Sequence, residues 1–249
     1  MPMPPMPPSH NETLDSIITL SMAALIVGGG LYASYLNKRA LRRVKAMVKV
    51  ANRYGLRFES GRCGRSFDEP PFQRGENRYP YNSFAGVWGG FNLQMGDFHY
   101  EVGSPQKRGS GLSSDHVFSY CHLEVHGARL RPLMIRPQGL WSHLIPHADC
   151  SDIQFESTEF SKRFMVQAPD RKYAFQIVTA QVMELLLQSQ AYCVFLGDQG
   201  VLLLCHEKLW EPEDFVTHAD FAADLLRLIP EYVWEEYKTG APDDPRAPV

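Results

Sequence analysis

The chain has 249 residues, 44% of them apolar, and the roughly 190 that follow its N-terminal apolar and basic segments suffice for one domain with its own core. Its five cysteines, Cys63, Cys121, Cys150, Cys193 and Cys205, are odd in number and contain no C-x-x-C pair, which excludes a disulfide framework or a zinc knuckle as the organising element. The net charge of −3 is unevenly placed: seven of the 25 basic residues lie between Lys38 and Arg53 with no acidic residue among them, and 26 of the 28 acidic residues follow, leaving −8 from Tyr54 onward and no nucleic acid as an expected partner.

Residues 1–15, rich in proline and methionine, have too few recurring apolar side chains to build a core and are expected to form a disordered external tail. Ser16 to Leu36 carries no charge, and at 1.5 Å per residue it reaches about 31 Å, the thickness of a bilayer's hydrocarbon core. Residues 16–36 are therefore expected to be a transmembrane helix. The cations that follow at once, Lys38, Arg39, Arg42, Arg43, Lys45, Lys49 and Arg53, place the C-terminal side in the cytoplasm and the N-terminus outside, as in a single-pass protein of an inner (plasma) membrane. A cleaved signal is the competing reading, but it needs a basic leader and a shorter apolar run. Ala24 with Gly28, and Gly29 with Ala33, are spaced four apart, a spacing that lets helices approach closely and suggests self-association in lipid. The same glycines are also simply common in membrane helices.

Residues 37–55 read as a basic amphipathic stalk helix, with Leu41, Val44, Val48 and Ala51 on one side and a stop at Gly55. The alternative has its cations lying on anionic headgroups as a membrane-surface contact. Residues 56–90 show no period of two or 3.6 and are expected to be an irregular connection.

Residues 91–237 carry the regular pattern of a cytoplasmic α+β domain. Phe91 to Met95 and Phe98 to Val102 alternate, and Gly96-Asp97 between them predicts a two-residue hairpin turn. His116 to Val125 alternates again. Leu130 to Ile135 is a further strand, which Pro132 assigns to an edge. Gly139 to Pro146 suggests a helical turn, Ile153 to Phe155 and Phe164 to Val166 brief strands. Asp170 and Thr179 each stand where a helix N-cap belongs. Tyr192 to Leu196 and Val201 to His206 form an apolar hairpin, and Pro212 to Ile229 an amphipathic helix. Strands first and helices later predict an α+β fold, a mostly antiparallel sheet with helices on one face, preceded by the single N-terminal transmembrane helix. Residues 238–249 have the composition of a disordered tail.

His122, Glu124 and His126 alternate along one strand and so share a face, where two imidazoles and a carboxylate offer zinc ligands. The competing reading is a solvated polar face. His143 and His147 are four apart, but Pro146 disturbs the turn that would align them. Arg163 is expected either to be clamped between carboxylates of Asp152, Glu156 or Glu159, fixing the connection's shape, or to act as an anion hook for a ligand. No phosphate loop, nucleophile elbow, zinc-protease or kinase signature is present, and no cofactor is expected. A triad gathered from distant residues stays open.

Asp152 to Val166, with its Glu156-Ser157-x-x-Phe160-x-x-Arg163-Phe164 core, continues through Asp170, Tyr173-Ala174-Phe175, Gln181-Val182-Met183 and Ile229-Pro230. From Phe91 to Trp234 this pattern resembles an uncharacterised family of bacterial single-pass membrane-anchored proteins. Ala180 stands where that family often has proline. The resemblance implies a bacterial source and a shared fold and carries over no active site. Anchor, acidic domain and absence of catalytic motifs together suggest a protein-interaction or scaffold domain with a membrane-protein partner; the alternative is a small-molecule-binding or hydrolytic domain at the membrane surface.

Overall fold

The computed structural model describes residues 10–63, 69–103, 113–127, 129–139, 150–189, 192–197, 201–206 and 208–238; the side chains of 10–26, 28–30, 32, 33, 113 and 201–206 lie outside that description. Two compact units divide at Ala46 and Met47.

The first unit is the N-terminal part of α1 (His10–Tyr54), an unbroken helix of 45 residues. It begins at His10, so the expected tail is helical from that point. Among the residues described in full, no helix is long and apolar enough to cross a membrane; most of Ser16–Leu36 lies outside them.

The second unit is α+β. A nine-stranded sheet has the order β1-β2-β3-β4-β9-β8-β5-β7-β6, and every described pairing is antiparallel. Its strands are β1 (Arg57–Arg62), β2 (Glu76–Trp88), β3 (Phe91–Gly103), β4 (Ser113–Glu124), β5 (Leu133–Pro137), β6 (Ser151–Ile153), β7 (Phe164–Ala168), β8 (Cys193–Leu196) and β9 (Val201–His206). Its helices are α2 (Thr158–Arg163), α3 (Arg171–Ile177), α4 (Ala180–Gln188), α5 (Asp214–Arg227) and α6 (Glu231–Glu236), with a 3-10 turn at Pro70–Gln73.

The end of α1 belongs to this unit. Met47, Val50 and Ala51 are buried, whereas Leu41 and Val48 of the expected stripe are exposed. A stalk would leave all sides wet; here the buried positions are those that meet the core. Gly55 takes the left-handed conformation (φ +66°) and lets Leu56 N–H reach Ala51 O at 2.9 Å, closing the helix and turning buried Leu56 inward.

The stretch expected to be irregular, 56–90, contains β1, the 3-10 turn and β2. Its pattern is obscured because β2 slips register twice, and Asn77 and Asn82 adopt positive φ (47° and 50°) at those slips. The hairpin expected at Gly96-Asp97 is absent: β3 runs straight through both residues. The turn is instead Gly89-Gly90 (φ 58° and 95°), which joins Trp88 to its register partner Phe91. Two positive φ values in succession are what a two-residue hairpin turn requires. The edge expected from Pro132 is also corrected. β5 lies between β8 and β7, and Pro132 precedes its first residue, where no donor is missed.

Gly96 has a different task. A Cβ there would stand 2.9 Å from Ser83 Oγ and 3.1 Å from Asn82 O, so only glycine lets the bulge of β2 lie against β3. At the same level the sheet exchanges its buried side. Leu93 and Met95 of β3, with Cys121 and Leu123 of β4, join the cluster that the α-helices cover through Met47, Tyr173, Ile177, Val182, Phe215 and Leu226. Phe98, Tyr100, Phe118 and Tyr120 point the other way and close around Phe72 of the 3-10 turn, with Phe72 and Phe98 ring centroids 4.7 Å apart. The α-helices thus share one face of the sheet. Four cysteines are described and free; burial pushes the Cys121 thiol up.

Asp170 caps α3, accepting from Tyr173 N–H at 2.8 Å, and Thr179 caps α4, accepting from Val182 N–H at 3.3 Å. Arg131 pairs with Asp170, and Tyr173 Oη donates to Arg131 O at 2.7 Å. The Tyr173 N–H and then the Arg131 guanidinium hold the Asp170 carboxyl below the usual carboxylate range. A third cap, Ser157 before α2, accepts from Phe160 N–H and starts a helical turn just after the brief strand.

Gly96→Ala forces a methyl group into the β2 bulge and is expected to cost about 1–3 kcal/mol by overpacking. A lowered urea midpoint of the full chain would register it; an unchanged midpoint would show that the bulge yields without cost.

Candidate functional site

On the face of the sheet away from the α-helices, the side chains of β1–β4 form two cross-strand rows. Arg57, Ala85, Gln94 and His122 are successive register partners, and so are Val87, Asn92 and Glu124. Ala85 and Gly86 are short between longer neighbours, and the hollow above them is a cavity of about 480 Å³. A second hollow of about 230 Å³ shares Arg57, Ala85 and Gln94 and extends to Glu59, Cys63 and Ser83, so the two form one groove toward β1. Its far side meets the aromatic cluster around Phe72, which covers the rest of this face.

His122 is buried, with Nε2 3.6 Å from Glu69 Oε1, where a solvated polar face would have left it open. Glu124 lines the same groove. His126 lies beyond the end of β4 and is exposed, its Nε2 accepting from Asn92 Nδ2 at 2.6 Å. The strand's alternation thus sends His122 and Glu124 to one hollow, and the turn at Gly127 takes His126 away. These three do not form a converging ligand set among the described residues; the residues that do are His99, Glu101 and Asp115. The signal for that group was a second His-x-Glu on alternate positions, His99 and Glu101, beside which the register of β4 sets Asp115.

Arg163 touches none of the expected carboxylates in a hydrogen bond. Its Nη1 donates to Leu187 O at 2.5 Å and its Nη2 to Ser189 O at 3.4 Å, capping the carbonyl end of α4. These carbonyls are the orphan acceptors of a helix C-terminus, where a cation is favoured. Both contacts are structural, with carbonyls standing where carboxylates were expected. Lys38, Arg39, Arg42, Lys45, Lys49 and Arg53 are exposed on α1 and Arg43 is half-buried. The side chains of Ala24, Gly28, Gly29 and Ala33, and all of His143 and His147, lie outside the described residues.

Among the groups whose ionisation burial shifts upward, Tyr120, Cys121, Tyr173 and Tyr192 are packed in the core; Tyr192 is pushed up to about 12 and hydrogen-bonds His218 Nδ1 at 2.6 Å. Of these, the Tyr120 hydroxyl reaches Ser83 Oγ at 3.4 Å, on the wall of the second hollow.

No family profile matches the chain, and no curated protein is significantly similar to it. Among solved structures, the crystal structure of the mycobacterial trehalose monomycolate transport factor A, TtfA, is similar over 76% of this chain and 95% of that one, with 14% identity and a TM-score of 0.48. A likeness of that degree bears on neither the site nor its function.

Arg163→Ala removes both carbonyl caps of α4 and is expected to lower stability by about 1 kcal/mol, the net worth of a hydrogen bond to a charged group at a wet surface. The urea midpoint measures it, and an unaltered value would mean that the caps contribute nothing.

Proposed function

We propose that this chain is a single-pass, membrane-anchored domain of the bacterial cytoplasm that binds a membrane-protein partner by adding an extended segment of that partner to β1. The observation that carries the reading is the placement of β1. It is an outer strand of the sheet, paired with β2 alone among the described residues and exposed at every position except half-buried Phe58, and it borders the groove of Arg57, Gln94, His122 and Glu124. An added strand gains main-chain hydrogen bonds from the edge, and pockets beside the edge select its alternate side chains. Arg57 and Arg62 supply positive charge there on a domain that is otherwise acidic, which suits a partner segment with carboxylates.

Ser16–Leu36 supplies the anchor in this reading, and the cations from Lys38 to Arg53 hold the following domain on the cytoplasmic side against anionic lipid. Ala24, Gly28, Gly29 and Ala33 would pair two anchors. The family of bacterial membrane-anchored proteins that Asp152 to Val166 resembles is consistent with this arrangement. A small-molecule reading is favoured by one observation, the polar cavity of about 480 Å³ over Ala85, a size within the range of ligand sites.

A photoactivatable residue at Glu59, in the full chain in native membranes, is expected to give one saturable protein adduct that Arg57→Glu weakens. Absence of any adduct, together with a small molecule retained by the purified chain, would replace this reading by the ligand-binding one. Carbonate extraction tests the anchor separately: the full chain is expected to stay with the membranes and a chain lacking residues 1–36 to be released, and release of both would overturn the anchor.

A further inference from the structure

The sheet carries a second constellation at the opposite end of β3, on the other face from the groove, and it does not depend on the partner reading. His99 and Glu101 alternate along β3 and so share a side, and Asp115 of β4 is the register partner of Glu101. The ligand atoms of these three side chains all lie within 4.8 Å of one another. We propose that His99, Glu101 and Asp115 form a divalent transition-metal site, with zinc the best fit, that clamps the ends of β3 and β4.

His99 Nδ1 stands 3.2 Å from the backbone carbonyl of Asn77, which can only accept, so Nδ1 carries the hydrogen. In the neutral ring Nε2 then presents a lone pair. It faces Asp115 Oδ1 at 3.6 Å, an atom that also only accepts when the carboxylate is ionised. In that tautomer the Nε2 lone pair and the carboxylate can both bind one cation placed between them. Two ligands each about 2.1 Å from zinc at a tetrahedral angle are about 3.4 Å apart, close to the separation found.

Two further features fit a ligand set. A metal-bound imidazole generally donates its other N–H to a carbonyl or carboxylate, as His99 does to Asn77. Asn77 also donates its side-chain amide to Glu101 Oε1, so one residue orients two of the three ligands. It does so from a left-handed backbone (φ 47°) that asparagine tolerates better than most residues. Tyr79 stacks on the imidazole at 4.7 Å and 23°, which fixes the ring plane and leaves His99 with only 13% of its side chain exposed. Glu76 is the register partner of Glu101 on the other strand. One imidazole with two carboxylates favours zinc or manganese over calcium and magnesium, which select all-oxygen sites.

The test is calorimetric titration of the full chain, in mild detergent, with zinc chloride, and separately with magnesium and calcium chloride. Zinc is expected to bind at one site, with an affinity weakened at least tenfold by His99→Gln and by Asp115→Asn. Asn77→Gly keeps the backbone conformation but removes the amide that donates to Glu101, and a weakening of about tenfold is expected of it. His116→Gln removes a neighbouring imidazole that stacks on Tyr100 and should leave binding unchanged. Because Asp115 is exposed, its variant folds even if that of His99 does not, as circular dichroism will show. Three results would each overturn the site: no zinc binding by the unaltered chain, wild-type affinity in a folded His99→Gln or Asp115→Asn, or magnesium or calcium binding as tightly as zinc.

Discussion

The buried contact between β3 and β4 at Asp97 and Ser119 fixes the level at which this sheet changes sides. Both residues are fully buried, and Ser119 Oγ donates to Asp97 Oδ1 at 2.6 Å. The same hydroxyl accepts from Trp210 N–H at 3.0 Å, while Asn82 Nδ2 approaches the other carboxylate oxygen at 3.5 Å. Three strands and the segment leading into α5 are therefore tied at one point. A buried carboxylate is tolerated only where donors surround it, so the bulge of β2 and the approach of Trp210 are requirements of this contact.

On one side of that level the α-helices cover the sheet, and on the other Phe72 covers the opposite face. Neither cover extends over the whole of β1–β4, and each leaves one end of one face open. The groove over Ala85 and the His99 constellation occupy those two open regions. Both are polar because no apolar layer reaches them. Both also rest on rigid strands, with side chains set by register and not by loop conformation.

Much of the fold was legible where local rules act alone. Asp170 and Thr179 cap the helices they precede, because an N-cap needs only its own side chain and the next turn. Gly55 ends α1 for an equally local reason. The pattern from Val194 to Leu204 gave two paired strands, since continuous apolarity between turn residues leaves little alternative. Gly96-Asp97 misled because a Gly-Asp pair between alternating runs satisfies every local condition for a hairpin. Gly89-Gly90 satisfies them too, and the choice lay in contacts with Ser83, Asn82 and Ser119 that are distant in sequence. Arg163 misled for a related reason: its carbonyl partners Leu187 and Ser189 lie 24 and 26 residues away.

The residues by themselves determined the α+β class, the caps, the uncharged run from Ser16 to Leu36 and the basic run after it, because composition and spacing within one or two turns of chain decide such features. Only the tertiary structure decided which glycine pair turns, that the end of α1 is core, and that Asp115 stands beside Glu101. Those depend on strand register. Register is a relation between segments, and it is settled by the sum of side-chain contacts across the sheet, which no single stretch of sequence contains.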